Sequence, residues 1–92
     1  MKMAIRINSS SLQGLCIEHM WCTGMTIAEY SNMLDISGVC EDMGECEQAI
    51  SRIADEIIRT SHSDRLGSKA SVMTSVFNKC VSVWFREEND ND

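Results

Sequence analysis

The sequence contains no proline. Proline breaks helix interiors because it lacks an N–H and clashes with the preceding turn, so nothing here interrupts long helices. Aromatic residues are few: Trp21, Tyr30, Phe77, Trp84 and Phe85. The apolar content rests instead on Ile, Val, Leu, Ala and seven Met, and Met packs adaptably into irregular cores and binding surfaces. No run of about 18 apolar residues is present, which leaves no candidate for a membrane-spanning helix. Met1 to Ile7, interrupted by Lys2 and Arg6, does not read as a secretory signal. The five cysteines are odd in number and lie among helix formers rather than in a loop-rich disulfide frame. Reduced thiols and a cytoplasmic setting are expected.

What is present fits one small domain. Ninety-two residues support a single modest core, expected over 1–86, with 87–92 as an acidic, disordered tail. The net charge of −6 is unevenly spread. Residues 29–56 set eight acids against one base, Arg52, a net of −7. Residues 57–86 set Arg59, Arg65, Lys69, Lys79 and Arg86 against Asp64, a net of +4. Such bipolarity steers complementary association with a partner or with a second copy. It is unlike the basic face that binds a phosphate backbone, so direct DNA binding is not expected.

The hydrophobic periodicity is helical. Residues 3–7 read as a short strand or extended arm. Asn8-Ser9-Ser10-Ser11 is rich in helix N-cap residues. Leu12, Leu15, Cys16, His19 and Met20 follow at helical spacing, predicting a helix over 9–22. Thr26-Ile27-Ala28-Glu29 matches a capping box opening a helix over 26–37. The clearest segment is 46–60, where Cys46, Ala49, Ile50, Ile53, Ala54, Ile57 and Ile58 form one stripe. Met73, Val76, Phe77, Cys80 and Trp84 make a stripe that predicts a last helix over 68–86. Val72, Val81, Val83 and Phe85 widen that stripe, and their β-branched and aromatic character leaves a strand over 80–85 open. The expected fold is all-α, a bundle of three to four helices built on a hairpin of 46–60 against 68–86. Continuity of the helix across 36–45 is left open by Gly38 and Gly44.

Several constellations bear on chemistry. Cys16-x-x-His19-x-x-Cys22, with Cys40 or Cys46 as a fourth ligand, offers donors that zinc favours. Its spacing fans the three groups around about 300° of helix surface, and a core-facing Cys16 and His19 explain it more simply. A Cys–His nucleophilic pair using His19 or His62 lacks any orienting group or glycine-rich turn, so no enzyme is expected. The acids Asp35, Glu41, Asp42, Glu45 and Glu47 lack the order of a calcium loop. They read as a solvated helix start, or as a face that docks on a basic surface such as that of a nucleic-acid-binding complex. Arg65, Ser68 and Lys69 combine two cations with a helix start, an arrangement that can hold a phosphate or small nucleotide. Exposed charges at such positions more often form a solvated face.

Thr26 to Ser37 resembles the first helix and turn of helix-turn-helix DNA-binding domains. The segment that follows, residues 38–45, carries acids and glycines and no base, where a recognition helix works beside phosphates. Small, acidic, helical chains of this kind are common among accessory proteins of phages and mobile elements, including inhibitors of host defence such as anti-CRISPRs. That likeness is one of type and no motif carries it. The expected function is a non-enzymatic protein-interaction module that binds and inhibits a host protein. Glu41, Asp42, Glu45, Glu47 and Trp21 are the candidate partner contacts. Val81, Trp84 and Phe85 are the candidate contacts for a homo-oligomer. Neither cofactor nor membrane is expected. The alternatives are a thiol- or zinc-dependent regulator using Cys16, His19, Cys22 and Cys40, and a nucleotide binder using Arg65, Ser68 and Lys69.

Overall fold

The structure is a computed structural model that describes residues 2–61 and 66–86. Its elements run β1 (Lys2–Ile7), α1 (Ser9–Glu18), α2 (Ile27–Asp35), β2 (Gly38–Cys40), α3 (Met43–Thr60), α4 (Lys69–Cys80) and β3 (Val81–Arg86). The expected 87–92 tail lies outside the described residues.

The three strands form an antiparallel sheet in the order β2-β1-β3, which overturns the all-α expectation. The last helix does not reach residue 86 but stops at Cys80, and the chain turns extended at Val81. Trp84 falls four residues after Cys80, so helical spacing and strand alternation coincide there. Val81, Val83, Trp84 and Phe85 favour a pleated strand, and β1 supplies the ladder, with Ile7 opposite Val81 and Ala4 opposite Trp84. Residues 3–7, read as strand or arm, are the central strand. Between 36 and 45 the helix is broken by β2, whose Gly38 adopts φ +132°, a conformation closed to residues with a Cβ. The helix-turn-helix likeness therefore fails at its second helix: α2 is followed by a strand.

The core is the filling between the helices and one face of the sheet. Met3, Ile5 and Ile7 alternate toward the helices, and Ile5 and Ile7 are fully buried. α3 supplies Cys46, Ile50, Ile53, Ala54 and Ile57, much as its spacing predicts, although Ile58 is half exposed. Leu12, Leu15 and Cys16 of α1, Met33 of α2, and Val72, Val76 and Cys80 of α4 complete it.

The helix ends are closed locally. Thr26 and Glu29 form the expected reciprocal capping box on α2. Asp42 caps α3 by accepting from the Glu45 amide at 2.8 Å. Asn8 precedes α1 without capping it. Its backbone and side-chain amides instead donate to the Cys80 carbonyl at 2.8 and 3.0 Å, and its side chain also reaches Ser82 Oγ at 2.7 Å. A residue near the N-terminus thus ties down the junction where α4 becomes β3. Among the described residues, no helix is long and apolar enough to cross a membrane.

Candidate functional site

The donors of the zinc alternative are not assembled. α1 ends at Glu18, short of the expected residue 22, and the chain turns through Met20 at φ 57°. His19 is exposed and stacks on Trp21 with centroids 4.9 Å apart. Cys16 is fully buried against the Met33 sulfur. Cys40 lies beside Cys46, with which it shares a hydrogen bond. Among the described residues no three His, Cys, Asp or Glu side chains gather as a metal site. All five cysteines are free thiols. Burial pushes the Cys16 thiol up to about 12, with neighbouring Cys22 and Cys80 adding to the rise, and pushes Cys46 and Cys80 up to about 11. Such thiols stay protonated at neutral pH and make poor nucleophiles or ligands.

The acidic and basic groups largely answer one another within the chain. Asp42 is occupied by the α3 cap, and Glu45 accepts from the Glu41 amide at 2.8 Å, so two of the four candidate partner-binding acids serve the helix start. All four are exposed, and the side chains of Glu41 and Glu47 take no part in those caps. Lys69 pairs with Asp55 at 2.9 Å, and Arg59 reaches Glu56 and Glu29. Ser68 caps α4 by accepting from the Ser71 amide. The hydroxyl and the lysine of the nucleotide alternative are therefore engaged, while Arg65 and His62 lie outside the described residues.

The two tryptophans have opposite surroundings. Trp21, read as a possible exposed anchor, is 3% exposed and belongs to the core. Trp84, placed by its spacing on the stripe of a last helix and named as a candidate self-association contact, is 38% exposed and stands on the sheet face away from the helices. There it covers Ala4, its cross-strand neighbour, and takes the Arg6 guanidinium at 5.6 Å from its ring centroid, a cation–π contact.

Sequence reasoning missed the surfaces that the fold leaves open. Ile17 and Ile27 are 62% and 88% exposed and flank an apolar groove between α1 and α2 lined also by Cys22, Met25 and Tyr30. On the sheet, Val39 is exposed on the outer face beside Arg6 and Trp84. Val83 and Phe85, on the helix side of β3, are 46% and 65% exposed, because the helical layer does not extend over that strand. Ile27 shares helical spacing with Tyr30 and Leu34, but as the first residue of α2 it lies off the face that buries Met33. For β3 the β-branched and aromatic residues that left a strand over 80–85 open were the available signal. Compared with family models, curated proteins and solved structures, the chain matches none.

Proposed function

We propose that this chain is a non-enzymatic protein-interaction module that works in the cytoplasm by docking on, and inhibiting, a host protein. The carrying observation is that most of its exposed large apolar side chains fall in groups: Ile17 and Ile27 on the α1–α2 groove, Val39 and Trp84 on the outer face of the sheet, and Val83 and Phe85 on its helix side. Single exposed apolar residues are ordinary, whereas grouped ones mark contact surfaces. Exposed Glu41 next to Arg6 and Val39 gives the sheet patch the mixed polar rim of a transient interface. The acidic surplus adds an electrostatic preference for a basic partner. A narrower form of the reading places the chain among phage or mobile-element anti-defence proteins, on size and charge alone.

The test is affinity capture from the lysate of the host in which the chain acts, with two exposed positions replaced. Ile27→Asp and Val39→Asp are each expected to keep the wild-type melting temperature. At least one is expected to lose the captured protein. Capture of nothing by the wild type, or unchanged capture by both variants, overturns the reading.

A further inference from the structure

We infer that strand β3 pairs edge to edge with β3 of a second copy, joining two sheets into one of six strands. This stands on the edge of β3 alone and does not depend on which face meets a host protein.

The ladder geometry shows which backbone groups are unused. The Asn8 amide donates to the Cys80 carbonyl at 2.8 Å, so residues 8 and 80 form a hydrogen-bonded pair. Antiparallel pairs alternate, which turns the N–H and C=O groups of Ser82 and Trp84 toward β1. Those of Val81, Val83 and Phe85 point away from it, to an edge that no other described strand covers. An open edge is ordinarily blunted by charge, proline, a bulge or short length. Residues 81–85, Val-Ser-Val-Trp-Phe, have neither charge nor proline, and the ladder to β1 runs through them without a bulge.

The edge matches itself. A two-fold axis through Val83 sets Val83 opposite its own copy and Val81 opposite Phe85 of the other chain. In that register all three outward residues of each chain find donors and acceptors in the other. Val81, Val83 and Phe85 share the helix-side face, since they face Ile7, Ile5 and Met3 on β1. The half-exposed Val83 then meets its own copy and the more exposed Phe85 meets Val81 of the other chain where neither helical layer reaches, and no charge is buried. Isologous pairing of this kind closes after two copies. The outer ends of the joined sheet would be β2, only three residues long and followed by Glu41 and Asp42, which discourages further addition.

Charge reversal at the two-fold position tests the register. The wild type is expected to shift in sedimentation velocity from one-chain to two-chain mass as its concentration rises into the micromolar range. Val83→Lys and Val83→Glu place like charges against themselves, so each alone is expected to remain at one-chain mass with unchanged circular dichroism. An equimolar mixture of the two is expected to recover the two-chain species, which only folded chains paired at residue 83 can do. A wild type of one-chain mass at high micromolar concentration overturns the inference, as do open-ended oligomers. Variants that dimerise like the wild type remove the edge, and a mixture that does not recover removes the register. A monomeric chain that still captures a host protein would overturn the pairing and leave the docking reading standing. A dimer that captures nothing would do the reverse.

Discussion

α3 and β3 both carry apolar side chains and place them differently. In α3 the stripe from Cys46 to Ile57 is buried almost completely, and the polar face opposite is solvated. In β3 the apolar residues fall on both faces of an edge strand, and Val83, Trp84 and Phe85 remain substantially exposed. An amphipathic helix fulfils its pattern inside its own chain. A strand with apolar residues on both faces and one open edge does so only if something else covers it. The comparison separates the part of this sequence that specifies the fold from the part available for contact.

The sharpest way to break the comparison is to place the same charge in both elements. Ile53→Asp buries an unpaired carboxylate in a site of zero exposure and is expected to cost on the order of 4 kcal/mol, enough to leave the chain unfolded by circular dichroism. Phe85→Asp, measured at a concentration where the chain is monomeric, is expected to change stability by about 0.5 kcal/mol or less. A folded Ile53→Asp variant with unchanged melting would contradict the core described for α3.

Alkaline pH sharpens the same contrast through the buried thiols. The folded state holds the Cys16 thiol up to about 12 and those of Cys46 and Cys80 up to about 11, against the ordinary 9.0 of a thiol in water. Above pH 9 the unfolded chain loses these protons while the folded chain keeps them, so linkage favours unfolding. The stability these thiols confer is complete below about pH 9 and is lost as pH rises through about 11 to 12. Urea midpoints should fall across that window, and fall less in a Cys16→Ala variant compared with its own midpoint at pH 8. An equal fall in both would show that Cys16 is not the titrating group.

Smaller effects belong to the joints. Asn8→Ala removes the side-chain bonds to Cys80 and Ser82 and is expected to cost about 1–2 kcal/mol, with faster amide exchange at the start of β3. Thr26→Ala removes the α2 capping box at a cost of about 1 kcal/mol. Lys69→Ala breaks a half-exposed ion pair with Asp55 and should change the melting free energy by roughly 0.5 kcal/mol or less.

The sequence was legible where one period dominated. The α3 stripe and the Thr26–Glu29 box are local patterns, and the structure contains both. The β3 segment was misread because Val76, Cys80 and Trp84 continue a helical spacing into residues whose alternation is that of a strand. What decides between the two is β1, some 75 residues away in the chain, and no local window contains it. Trp21 was misplaced for a related reason: the turn at Met20 redirects the chain, so an extrapolated helical face assigns it to solvent. The acids at 41–47 were visible as a cluster, but that Asp42 and Glu45, and not Glu41 and Glu47, hold the helix-start amides depends on where α3 begins.

The most direct measurement is residue-resolved amide hydrogen exchange along β3 at low and high protein concentration. Ser82 and Trp84, whose amides face β1, should be protected at both. Val83 and Phe85, whose amides face outward, should exchange freely in dilute solution and become protected as concentration rises. Free exchange at Val83 and Phe85 at every concentration would contradict the claim that this edge is the chain's surface for pairing.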